Sequence, residues 1–244
     1  MVLPRVSRLV YRNFKVNTDP ASLVILVGLP AMYLVFFGFG FGDLLFIAPG
    51  LMAFQSVMAG TVGGGMLWAD RRYGMLAQLL VGPFSRLDYL LGIMLTTVIF
   101  GLAGAVVMYA VAFALLHGVY ISPLGWGSVV VTITVGSLFF GALMLILSAL
   151  VKSNNTYNSI QILVLFFINF ASTVFYPNTP RLPVILQVLF RVNPLSYIAN
   201  LVRAGFDGTL VPVDLFYLIG LLTGTVILVV LATRTYMRSD ISYT

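Results

Sequence analysis

The chain has 244 residues, 60% of them hydrophobic and only 8% charged, with a formal net charge of +6 at pH 7. A soluble domain carries about 25% charged residues, so the solvent for most of this chain is lipid. Cysteine is absent, which excludes disulfides and thiolate metal sites, and the bases are dispersed between apolar runs, unlike the clustered face of a nucleic-acid binder.

Residues 1–19 read as an amphipathic helix. Arg5, Arg8, Arg12 and Lys15 recur every three or four positions along one face, and Val2, Val6, Leu9, Val10 and Phe14 fill much of another. Such a helix is expected along the inner leaflet with its basic stripe toward anionic headgroups, either as a topology anchor or as an elbow beside a gate. The bases from Arg5 to Lys15 precede any long apolar run, which does not fit a secretory signal. Asp19 and Pro20 then suit the N-cap and first position of a helix.

Six stretches supply the roughly 20 apolar residues that cross a bilayer core: about 21–41, 44–68, 89–116, 126–151, 159–175 and 213–233. Their apolar runs are continuous, whereas a membrane barrel alternates, so residues 1–244 read as a single all-α transmembrane domain. Only one charged residue falls within them, Asp214 at the start of the sixth. In the second, Ser56, Gly60 and Gly64 make small-residue steps suited to close helix packing, and Gln55 is a candidate to look into a transport path.

Residues 69–86, between the second and third spans, break the pattern. Tyr73, Leu76, Leu79 and Leu80 form a helical apolar stripe, with Arg71, Arg72 and Gln78 polar. Gly82-Pro83 ends the helix, and Ser85-Arg86 begins the return. This short helix either lies on lipid or projects as a handle.

In the fifth span Asn155, Ser159, Asn169 and Thr173 fall near one face, with Asn158, Gln161 and Ser172 on a neighbouring one. Unpaired amides are costly in lipid. They line a path or bond to other helices.

Residues 176–212 form the longest connector and are too apolar for a free loop. Two short helices are expected, 184–190 and 195–206, with Asn193 as N-cap, Pro194 at the first position and Gly208 as the stop. Such a pair suits a re-entrant element buried in protein. Arg191 and Arg203 are expected at its rim, snorkelling to headgroups or meeting an anionic group on a departing substrate.

Placing the N-terminus inside puts ten of the thirteen bases on the inner side and leaves Arg181, Arg191 and Arg203 on the outer. That asymmetry predicts a multi-pass protein of the cell membrane with both termini cytoplasmic.

The run Asp70-Arg71-Arg72-Tyr73-Gly74-Met75-Leu76-Ala77-Gln78-Leu79-Leu80-Val81-Gly82-Pro83-Phe84-Ser85-Arg86 resembles the cytoplasmic coupling segment of type-2 ATP-binding-cassette (ABC) exporter permeases. It matches at the acidic-Arg start, Gly74, the paired leucines, Pro83 and Ser85. It departs where that family carries further acids, at Arg72 and at Ala77 or Gln78. Phe175-Tyr176-Pro177, Leu182-Pro183, Asn193-Pro194-Leu195-Ser196-Tyr197 and Arg203 resemble, in order and spacing, the family's outer signature after the fifth span.

The resemblance implies an N-terminal interfacial helix, six transmembrane helices, a coupling helix and an outer re-entrant pair. It implies two permeases, a second copy or a paralogue, working with ABC ATPase subunits that bind ATP and Mg. Asp70, Arg71, Arg72, Tyr73, Gly74, Leu76, Leu79, Leu80 and Pro83 would couple to the ATPase. Tyr176, Pro177, Asn193, Pro194 and Arg203 would form the outer gate. Gln55, Asn155, Asn158, Ser159, Gln161, Asn169 and Thr173 are the candidate lining of the path.

No Gly-x-x-x-x-Gly-Lys-Ser/Thr loop occurs in the sequence, so energy is expected from a partner. An amphipathic or apolar cargo, drug-like or lipid, fits an uncharged path, and a lipid-linked polysaccharide is the alternative. A channel or secondary carrier fits less well, because ion coupling usually places charge inside spans. No catalytic residue, cofactor or metal is expected: His117 is the single histidine and has no second ligand near it in sequence.

Overall fold

The computed structural model describes residues 3–20, 24, 28–41, 43–209 and 211–239. Ten helices lie among them: α1 (Leu3–Asn17), α2 (Leu29–Phe41), α3 (Leu44–Arg72), α4 (Met75–Val81), α5 (Arg86–Leu115), α6 (Pro123–Leu150), α7 (Asn154–Phe170), α8 (Val184–Val192), α9 (Pro194–Asp207) and α10 (Pro212–Arg238). Four of these, α3, α5, α6 and α10, are long and apolar enough to cross a membrane, and α8 with α9 forms a pair bent by 75°. The bend falls at Asn193-Pro194, where the missing proline N–H and the Asn cap break one helix and start the next.

The remaining predicted spans come out shorter. The first is represented by α2, 13 residues long; its beginning, including residues 21–23 and 25–27, lies outside the described residues. The fifth starts earlier than expected and ends at Phe170 rather than near 175. Hydroxyls there compete with the helix ladder. Ser172 Oγ donates to the Asn169 carbonyl, and the Thr173 N–H donates to Ser196 Oγ.

Helix α3 is central. It is apolar all round, and nearly every residue from Ile47 to Leu67 is buried, as expected of a helix with no polar face. Helices α5, α6 and α9 pack on it, and α10 packs on α6. Gly60 and Gly64 let α6 approach closely: a Cβ at Gly60 would sit 2.7 Å from the backbone of Phe140, and one at Gly64 would sit 2.6 Å from Met144 Cβ.

Local chemistry fixes the helix starts. Asp43 accepts from the Phe46 N–H ahead of α3, Ser85 and Asp88 form a reciprocal capping box on α5, and Ser122 caps α6 with Pro123 at its first position.

Helix α1 is seated along the beginning of α5, running in the same direction. Arg5 pairs with Asp88 at 3.8 Å, Leu9 packs on Gly92, Asn13 Nδ2 donates to Thr96 Oγ1 at 3.2 Å, and Phe14 stacks on Phe100 at 4.6 Å. Residues 88, 92, 96 and 100 are successive i+4 positions, one stripe of α5.

Candidate functional site

The segment between α3 and α5 divides sharply into an inner and an outer side. Asp70, Arg71 and Leu76 are buried. Leu79 and Leu80 are half-buried. Arg72, Tyr73, Met75, Gln78, Val81, Gly82 and Pro83 are exposed. Gly74, at φ +71°, turns the chain between α3 and α4 through the left-handed region that glycine enters without steric cost. The sequence pattern read Arg71 and Arg72 alike as polar, and the structure separates them.

Arg71 is 1% exposed. Its Nη1 donates to the carbonyls of Ser148 and Ala149, both at 2.9 Å. These belong to the last turn of α6, whose carbonyls have no partner within the helix, and a cation there also suits the negative end of the helix dipole. Asp70 receives both Nη1 and Nη2 of Arg12 at 2.5 Å and the Tyr89 hydroxyl at 2.7 Å. The Asp70 hydrogen bond raises the Arg12 guanidinium pKa still further above its ordinary value, against the opposing effect of burial.

At the other end of the segment, Arg86 Nη1 donates to the carbonyls of Met237 at 2.8 Å, Ser239 at 3.2 Å and Tyr236 at 3.4 Å, closing the end of α10. The segment is thus rooted in α1, α5, α6 and α10. One further tie leads to α7: Trp68, in the last turns of α3, stacks on Tyr157 with ring centroids 5.4 Å apart and planes 15° apart, and the Arg72 guanidinium lies 5.3 Å from the Trp68 ring.

At the opposite end of the bundle, the Asn193 side chain works in two directions. Its Oδ1 accepts from the Leu195 N–H at 2.9 Å, and its Nδ2 donates to the carbonyls of Ile168 and Ala171 at 2.8 and 2.7 Å. It joins the start of α9 to the end of α7. Pro194 opens α9. Tyr176 is half-buried and Pro177 exposed.

Arg203, expected at the rim, turns inward. Nε donates to the Phe46 carbonyl at 3.1 Å. Nη2 donates to the carbonyls of Thr173 at 2.6 Å and Val174 at 3.2 Å. Nη1 donates to Asn200 Oδ1 at 3.1 Å and Thr173 Oγ1 at 3.5 Å. The guanidinium also lies 3.7 Å from the centroid of the Phe46 ring. Five N–H donors meet five acceptors, the full capacity of an arginine, so neither headgroups nor an anionic cargo finds a free donor here. Gly50 permits the approach, since a Cβ there would fall 2.5 Å from the Val174 carbonyl oxygen.

The residues expected to line a path are dispersed. Asn155, Asn158 and Ser159 are exposed on the first turns of α7, Gln161 is half-buried, and Asn169 and Thr173 are buried near its far end. Gln55 is 1% exposed within the bundle, against Gly104, with no hydrogen-bond partner for its amide among the described residues. An apolar groove of about 900 Å³ lies elsewhere, between α1, α5 and α6, lined by Leu3, Val6, Leu91, Leu95 and Leu138 among others. Among the described residues no three His, Cys, Asp or Glu side chains gather as a metal site would require.

The model of one protein family, ABC-2 type transporter, matches residues 5–206, from α1 into α9. A search of curated proteins finds no match.

Proposed function

The chain belongs to the ABC-2 type transporter family, a multi-pass membrane component of an ABC transporter, and from that premise we propose that it is the permease of an ATP-driven exporter. In this reading residues 69–86 receive the stroke of a separate ATPase subunit. Two permeases, identical or paralogous, enclose the path. Both termini lie in the cytoplasm, on the side that carries ten of the thirteen bases. The six spans are the four long helices together with α2 and α7; α8 and α9 dip in and out on the outer side without crossing.

One observation carries the reading. Between its two longest helices the chain puts out an element whose inner side is fixed and whose outer side is open. Arg71, Asp70 and Arg86 hold it to other helices and Leu76 is buried, while Tyr73, Met75 and Val81 stay exposed. A rigid root is what an element needs to pass force inward, and exposed aromatic and aliphatic side chains are what a partner grips. The cargo assigned is amphipathic or apolar, because α7 offers Asn, Ser and Phe side chains and no charge.

Purification from the native host tests the proposal. An ATPase subunit should co-purify, and the reconstituted complex should move an amphipathic cargo out of the nucleotide compartment only with ATP. Transport by the lone chain in proteoliposomes, without nucleotide, would overturn it.

A further inference from the structure

We infer that α7 works as a lever driven at its first turn, with the Trp68–Tyr157 stack as the joint that delivers the drive. The inference rests on the reading of residues 69–86 as the coupling element and says where the motion goes next.

Helix α7 is held chiefly at its two ends; among the described residues, Leu165 and Ile168 between them pack on the core only in part. Of its 17 residues only Tyr157 and Asn169 are buried. Between those two, Ile162, Leu163, Phe166 and Phe167 are all exposed. The first attachment is Tyr157, 2% exposed and stacked on Trp68. The second is the pair of carbonyls at Ile168 and Ala171, bonded by Asn193, with the Thr173 N–H on Ser196 just beyond. The arm from Tyr157 to Asn169 is about 18 Å at 1.5 Å rise per residue.

The first attachment moves with the coupling element. Trp68 lies one turn before Arg72, and Arg72 covers its ring. Arg71, between them in sequence, grips the last turn of α6, and only residues 151–153 separate α6 from α7. A displacement at the end of α3 therefore reaches α7 along two short routes, one by ring contact and one through the chain. At the far end the Asn193 bonds fix a pivot. Swinging the arm breaks few contacts within this chain, and elements of that kind are the ones that move. Asn155, Asn158 and Ser159 ride on the driven half, so their presentation changes with nucleotide state.

Trp68 and Tyr157 are positioning residues in this scheme. The absence of cysteine makes the test clean. Ile162→Cys on α7 and Ile219→Cys on α10, both at exposed positions, take spin labels in the complex with its co-purifying ATPase in lipid nanodiscs. Distances are read without nucleotide and with ATP plus vanadate, and transport per ATP hydrolysed is measured in proteoliposomes.

The labelled native chain should show a distance change on trapping. Tyr157→Ala and Trp68→Ala should lose it, and should lower transport per ATP by about tenfold, within the usual range of coupling between sites, while ATP hydrolysis continues. Tyr157→Phe and Trp68→Phe, which keep a stack, should retain both. If the alanine variants fail to assemble, Tyr157→Leu, apolar but ringless, replaces them. An unaltered distance change and transport ratio in the ringless variants overturns the joint, and so does a transporting native complex in which α7 stays still. A native chain that recruits no ATPase instead removes the proposed function itself.

Discussion

The Arg71 guanidinium donates to the backbone carbonyl of Ser148 at 2.9 Å, which joins the last turn of α3 to the last turn of α6. The bond is buried, and Arg71 supplies a second one of equal length to Ala149. Arg71→Ala would leave two helix-end carbonyls without that donor and a void where a large side chain stood. Losses of this kind cost about 2–4 kcal/mol. The thermal midpoint in detergent should fall accordingly, with Arg71→Lys intermediate, because an ammonium keeps the charge but not the planar fork. An unchanged midpoint for Arg71→Ala would show that the α6 end needs no cap.

Arg12 and Asp70 are 58 positions apart in sequence and form a two-pronged ion pair with one side partly open to solvent. Such pairs are strong by geometry, and removal of one partner strands the other. A double-mutant cycle with Arg12→Ala and Asp70→Asn should return a coupling of about 1–3 kcal/mol. Asp70→Asn should be the more damaging single change, because Asp70 also accepts from Tyr89. A coupling near zero would mean that α1 is held by its other contacts with α5.

Much of this architecture is legible in the sequence, and the limits have a physical pattern. Continuous apolar runs locate the long helices, and punctuation locates their breaks. Asn193-Pro194 and Gly208 bound α9 within a residue or two of the expected 195–206. What periodicity does not reveal is where a polar side chain goes when its partner is a distant backbone carbonyl. Arg71, Arg86 and Arg203 all end on carbonyls of other segments, and nothing within a few residues of any of them signals that. Nor does the sequence around Gln55 signal that Gly104 on α5 lies against it.

Arg203 gives the sharpest instance. Its five acceptors come from Phe46, Thr173, Val174 and Asn200, so it joins the start of α3, the stretch after α7 and helix α9. Lysine has three donors on one atom and cannot reach across this span. Arg203→Lys should therefore behave nearly as Arg203→Ala, with both destabilising by about 3 kcal/mol or more. Full stability of the Lys variant in a melting experiment would show that one or two of the five bonds suffice.

Two glycines of α3 separate packing from propensity. Gly60 faces the backbone of Phe140, where an added Cβ would fall at 2.7 Å, whereas Gly65 has nothing within 4 Å. Backbone cannot step aside as a flexible side chain can. Gly60→Ala should destabilise by about 1–3 kcal/mol, and Gly65→Ala should be neutral or stabilising by up to about 1 kcal/mol through helix propensity. Equal effects at the two positions would contradict the close α3–α6 contact.

Residues 69–86 offer the clearest division between folding and the proposed function. Leu76 is the buried residue of α4, whereas Val81 is 90% exposed and Tyr73 is 76% exposed. Leu76→Asp buries an unpaired carboxylate and should prevent folding or cost several kcal/mol, about 3 or more. Val81→Asp adds the same charge where solvent receives it, so the isolated permease should melt within about 0.5 kcal/mol of the native one. Its effect belongs at the partner surface: affinity for the ATPase subunit should drop by about tenfold or more, and Tyr73→Ala should act similarly, because exposed aromatic side chains are frequent anchors of interfaces. Titration of the detergent-solubilised variants with the ATPase subunit reads both. Normal binding by the two surface variants together would move the docking surface away from α4, even if the chain folds and transports as proposed.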